Sequence, residues 1–208
     1  MNAPAPATAI DIPTIPGTPF AGGYYAGRFL LDGREYANIL APKAVGEHAD
    51  TPWNKRLNEV AGALSYIDGL ANTRAMAAAG SAVAQWALAQ RINGHDDWHI
   101  PALDQLELCY RLLKPHADDN SAWARAGINL HSVPQGHPYT RTHPTQTANP
   151  VFQLDGDEAF DEAWFWTSTQ DAGNSGCAWL QSFGNGSQYD VHESGSCRVR
   201  LVRRELIR

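Results

Sequence analysis

From Ala163 onward, apolar and aromatic residues come in short bursts: Trp164–Ser168, Ala178–Phe183, Gln188–His192 and Cys197–Val202. Gly, Asn and Ser turns separate them, so this last part of the chain reads as short strands rather than helices. In the last burst Cys197, Val199 and Leu201 alternate with Arg198 and Arg200. That alternation predicts a half-buried strand with a basic outer face. No internal repeat accompanies the pattern.

Upstream, the elements differ in kind. Residues 1–20 carry Pro4, Pro6, Pro13, Pro16 and Pro19. Fixed φ and missing donors predict an extended arm, which Ile10, Ile12, Ile15 and Phe20 could anchor on a neighbouring subunit. Tyr24–Leu31 and Arg34–Ala41 flank Asp32-Gly33, a strong hairpin signal, and Pro42 ends the second strand. Residues 43–71 read as a mixed connection. A helix is expected over Thr73–Arg91, with Asn72 as N-cap and Asn93-Gly94 as its stop. A second is expected over Pro101–Leu113, where Leu103, Leu106, Tyr110 and Leu113 share a stripe. Residues 115–150 are rich in Pro, His, Thr and Asn without a period, which marks a functional or mobile stretch. The chain therefore divides into a Pro-rich arm over 1–20, a hairpin and connection over 21–71, and a domain over 72–208.

Composition narrows the function classes. The net charge is −6, and the 16 Lys and Arg form no basic stripe outside the C-terminal strand. A nucleic-acid partner is not expected. No apolar run reaches the roughly 18 residues of a membrane helix, so membrane insertion is not expected either. The N-terminus lacks the basic and apolar regions of a secretory signal.

Enzyme templates fail in turn. The chain has no Gly-x-Gly-x-x-Gly, no phosphate-binding Gly-Lys-Ser/Thr and no Gly-x-Ser-x-Gly elbow. His95-Asp96-Asp97-Trp98-His99 offers metal-type ligands, but neighbouring residues point apart, so no metal site is expected. His131, His137 and His143 read as solvated loop residues. Cys109 reads as a small core filler. Cys177 and Cys197 each sit at the start of an expected strand and could be bridged, worth about 3 kcal/mol, or remain free. What remains is a scaffold whose turns are full of Asn, Ser, Gly, Tyr and His, residues suited to adaptable contacts.

From Gly94 onward the chain resembles the Lcl C-terminal domain family, named for the end domain of a bacterial collagen-like adhesin. The matching pieces run in order: Asp97-Trp98-His99-Ile100-Pro101, Asp104-Gln105-Leu106, Trp166-Thr167-Ser168-Thr169, Ala178-Trp179 with Phe183, Asn185-Gly186, and Arg198-Val199-Arg200-Leu201-Val202-Arg203. Gly22–Gly27 and Ala41-Pro42-Lys43 look like the upstream part of phage-encoded members. The resemblance implies an α+β, C-type-lectin-like fold, with two helices packed on short antiparallel sheets and long loops forming the ligand face. The arm and β-hairpin would precede it. The calcium-dependent sugar motifs of true C-type lectins are absent, so calcium is not carried over and no cofactor is expected.

Trp98, Trp166, Trp179 and Phe183 occupy motif positions and are expected in the core. Alternation then turns Leu180, Ser182, Gln188, Asp190 and His192 outward, and with the Asn174-Ser175 turn they form the expected ligand-binding surface. The resemblance implies a non-enzymatic binding module in a phage tail or tail fibre, made in the bacterial cytoplasm without a signal peptide and working in the virion. Its partners would be a host-surface glycan or protein, other tail proteins reached through the arm, and copies of itself in a homo-oligomer. The alternative is a structural virion protein, a decoration or baseplate component, that contacts only other virion proteins. A third reading is an oxidase-type enzyme of the distant lectin-fold relatives, with Cys177 and Cys197 as reduced copper ligands.

Overall fold

The computed structural model describes residues 11–207 apart from 57, 123, 124 and 126. Over residues 1–10 the expected arm lies outside the described residues. From Asp11 the chain packs on its own core. Ile12 and Phe20 pack against the main apolar cluster, and Gly17 N–H donates to Tyr25 C=O at 2.8 Å. Ile15 stays exposed. The short strand β1 (Pro19–Phe20) pairs with β2 (Gly23–Leu31).

The hairpin of β2 and β3 (Arg34–Leu40) forms as its turn residues require. Asp32 and Gly33 both have positive φ, +50° and +73°, the twist that matches paired strands. After α1 (Lys43–Gly46), the stretch expected as connection contributes β4 (Glu47–Pro52). Its sequence, Glu-His-Ala-Asp-Thr-Pro, has no apolar alternation, and β4 exists as a strand through its pairing with β9 (Ser196–Arg200).

The single helix expected over 73–91 is two helices, α2 (Gly69–Ala78) and α3 (Ala82–Ala89). Gly80, at φ +93°, breaks the run, and Ser81 restarts it by accepting from Ala84 N–H through its hydroxyl. Asp68, not Asn72, caps α2 by accepting from Ala71 N–H at 3.0 Å. Asn72 is buried and exchanges hydrogen bonds with the Ser65 backbone. The helix α4 (Leu103–Leu113) forms as expected but is buried nearly all round. Its apolar stripe meets Phe160, Phe165 and Phe183, while its polar side is covered by the irregular segment that follows.

That segment is ordered without a period because α4 supplies its partners. Asp104 pairs with Arg125 and with His131 Nδ1, the latter at 2.7 Å. Glu107 takes Tyr139 OH at 2.8 Å, Asn129 Nδ2 at 2.6 Å and Arg111 at 2.8 Å. His131 is thus fastened to α4, whereas His137 and His143 are exposed as expected. The strand β5 (Ser132–Val133) returns from this segment to pair with β2.

Two five-stranded sheets result, β1-β2-β3-β10 with β5 on β2, and β4-β9-β6-β7-β8. Here β6 is Trp164–Gln170, β7 is Cys177–Ser182, β8 is Gln188–His192 and β10 is Val202–Leu206. Pairing is antiparallel except between β6 and β9. The molecule is a mixed α and β fold of curled antiparallel sheets with helices packed on them.

The expected last strand divides at Leu201. Before it β9 lies in the second sheet, and after it β10 pairs with β3 of the first. Two pairings, β3 with β10 and β4 with β9, therefore cross the boundary drawn at residue 72, and one core unites Tyr25 and Ile39 with Trp166 and Leu180. The basic outer face is also corrected. Arg200 is wholly buried, 2.6 Å from Glu158 Oε2 and 3.3 Å from Glu47 Oε2, because the segment 158–161 covers that side of β9. Arg198 pairs there with Glu47 and Asp161 at 2.9 and 2.6 Å.

Candidate functional site

The expected contact residues do not share one surface. Asn174, Ser175 and His192 are exposed and lie at the same end of the second sheet, since Cys177 pairs with His192 and its N–H donates to Asn174 C=O. Asp190 is half-buried. Leu180, Ser182 and Gln188 are buried, at 2%, 7% and 2% exposure. The cause is that β7 is covered on both sides. Leu180 pairs with Trp166 in one apolar cluster, while Phe165 and Phe183 fill the other. A strand buried on both faces has no outward side for alternation to find. Trp98, Trp166 and Phe183 are core residues as expected, but Trp179 is half-buried, its ring edge-on to Tyr66 with centroids 6.4 Å apart.

Tyr189 and Val191, which alternation sets against the expected outward residues Gln188, Asp190 and His192, belong to the sheet's exposed aromatic surface. Register places Leu180 opposite both Trp166 and Tyr189, and Ala178 opposite Val191. Paired residues share a face, and because β8 is the outer strand the cover ends there. Trp164 is 39% exposed and Tyr189 48%. With Leu180, Val191 and Cys197 they line a groove of about 350 Å³ whose walls are almost wholly apolar. Sequence reasoning missed Trp164 and Tyr189. The signal for Tyr189 was the position of β8 at a sheet edge, which exists only after pairing, while Trp164 is the one exposed residue of the central strand β6, at its start.

The thiols are free in this arrangement. Burial, then the charges of Asp190, Asp171 and Glu193, push the Cys177 thiol above its ordinary range. Burial and Asp50 raise Cys197 to about 11, and burial raises Cys109 to about 12. All three stay protonated near neutrality and are weak nucleophiles.

The histidine cluster at 95–99 does not converge. His99 is buried, with burial lowering its pKa to about 4, while Asp97 pairs with Arg203 at 2.7 Å and Asp96 faces solvent beside Arg91. Among the described residues, His116, Asp118 and Glu162 do bring ligand-type atoms within 4.8 Å of one another. Both His116 nitrogens are already engaged there: Nε2 donates to Phe183 C=O at 2.9 Å and Nδ1 accepts from Asp118 N–H at 3.2 Å. No helix of the described residues is long and apolar enough to cross a membrane.

The family model of the Lcl C-terminal domain matches residues 47–203. Its start coincides with β4, the strand that pairs with β9. No curated protein and no solved structure matches the chain.

Proposed function

The chain belongs to the Lcl C-terminal domain family, and from that premise we propose that it is a non-enzymatic binding module of a phage tail, with a C-type-lectin-like fold, that recognises a bacterial surface glycan or protein. The observation that carries this reading is the groove between Trp164 and Tyr189. Large aromatic side chains left partly in water on a sheet face suit stacking on an apolar ligand face. The exposed polar residues Asn174, Ser175 and His192, at the end of the same sheet, add hydrogen-bonding groups. A single groove of this size gives weak contacts, which several copies in one tail would multiply. In this reading the protein is made in the bacterial cytoplasm and works in the virion.

The test is adsorption of the purified protein to host cells, with a glycan array beside it. The double variant Trp164→Ala/Tyr189→Ala is expected to lose at least about tenfold in binding while still folding, because both side chains are partly exposed. Unchanged binding of the double variant, or no binding by the wild type, would overturn the reading.

A second reading has its own support. The groove walls formed by Leu180, Val191 and Cys197 carry almost no polar groups, which favours a protein partner. The partner would then be another virion protein, and the chain a decoration or baseplate component. Labelling of Tyr189 in the intact particle separates the two, since a structural contact leaves it shielded.

A further inference from the structure

Glu193 lies between β8 and β9 with its side chain wholly buried. Oε1 accepts from Gln170 Nε2 at 2.6 Å, while Oε2 is buried without a partner. The Gln170 amide is shared widely. Nε2 also reaches Ser175 C=O at 2.8 Å and Asn58 C=O at 3.0 Å, so two hydrogens serve three oxygens. Oε1 of the same amide accepts from Val60 N–H at 2.8 Å. The Glu193 backbone completes the junction, donating to Gly176 C=O and accepting from Trp53 and Asn54 N–H. An open cavity of about 210 Å³, lined by Glu59, Gln170, Asp171 and Ser175, lies on the Gln170 side of this junction.

We infer that Glu193 is a protonation-controlled clasp: its neutral carboxyl, held by the Gln170 amide, fastens the loop 171–176 to the segment 54–60, and its ionised form loosens both. A buried carboxylate with one amide donor and no cation has little to replace its hydration. The surrounding charges do not help. Asp171 on the β6–β7 side and Asp190 on β8 are both acidic and both act on the protonated Cys177 thiol, with the exposed His192 beyond. On the 54–60 segment Glu59 is acidic, while Lys55 and Arg56 are exposed. Among the described residues no basic side chain pairs with Glu193.

Burial raises the Glu193 pKa to about 7, against a smaller lowering by the Gln170 hydrogen bond. The folded protein thus binds this proton more tightly than the unfolded chain. The clasp is complete below the ordinary carboxylate range and is lost as pH rises through about 7. The loop it controls carries Asn174 and Ser175, yet the clasp operates whether or not that loop meets a ligand.

Amide hydrogen exchange of the full chain between pH 5.5 and pH 8, corrected for intrinsic rates, tests it. Protection of 171–176 and 54–60 is expected to fall on the order of 20-fold across that range in the wild type. It should stay level in Glu193→Gln, while His192→Gln keeps the wild-type fall. A level wild-type profile, or the same fall in E193Q, overturns the proposal. Carboxyl NMR titration of the wild type gives an independent readout should E193Q fold poorly. A Glu193 midpoint near 7 supports the clasp, and one below 5 refutes it.

Discussion

Arg200→Ala is expected to destabilise the protein by about 3–5 kcal/mol, the cost of leaving buried carboxylates without their partner. For a chain of this size that lowers the thermal midpoint by roughly 10 °C. Arg200 is fully buried, and Glu47 and Glu158 are only 8% and 12% exposed. Its guanidinium also donates from Nε to Ala41 C=O at 2.9 Å and lies 5.3 Å from the Phe160 ring centre. One side chain thus joins β9, β4, the end of the hairpin and the 158–161 cover. Removing the Glu158 charge as well should recover part of the loss, so Arg200→Met/Glu158→Gln is expected to be more stable than R200A. Urea or thermal unfolding measures both, and an R200A protein within about 1 kcal/mol of wild type would contradict the assignment.

Trp53→Ala should cost a similar amount, about 3–5 kcal/mol, through the cavity it opens. Trp53 is wholly buried in the larger core, and its Nε1 donates to Thr167 C=O at 2.7 Å. Its backbone ties the same spot to two other elements: N–H donates to Glu193 C=O at 3.0 Å, and C=O accepts from the Ser81 hydroxyl. Trp53→Phe keeps most of the volume but leaves the Thr167 carbonyl unpaired, so it should lose only about 1–3 kcal/mol. Equal losses for the two variants in chemical denaturation would mean that the hydrogen bond, not the packing, dominates.

Neither residue stands out in the sequence. Trp53 sits in the stretch between Pro42 and the helices, where Gly and Pro obscure any period. Arg200 alternates with apolar neighbours and so reads as solvent-facing. By contrast, the Asp32-Gly33 turn, the strands that follow Ala163 and the core roles of Trp98, Trp166 and Phe183 are all legible, because each depends on local chemistry or a shared motif. The helix expected over 73–91 shows the limit of local reading. Alanine-rich periodicity marks both halves correctly but does not separate them at Gly80, whose positive φ ends α2, and Ser81, which caps α3 and also donates to the Trp53 carbonyl. The exposure of the expected contact residues was partly legible. Asn174, Ser175 and His192 are exposed as turn and edge residues, whereas Leu180, Ser182 and Gln188 are not.

By itself, then, the sequence determined the turns, most element types, the family and the short-strand character of the chain after Ala163. Those follow from φ preferences, side-chain period and motif order, which act over a few residues. Tertiary structure alone decided which faces are covered. The last strand changes sheets at Leu201, β7 is enclosed from both sides, and β8 is left at the edge with Trp164 and Tyr189 beside an open groove. Burial is a property of what packs on a residue from distant parts of the chain, and a period-two pattern cannot say whether one face or both will be met.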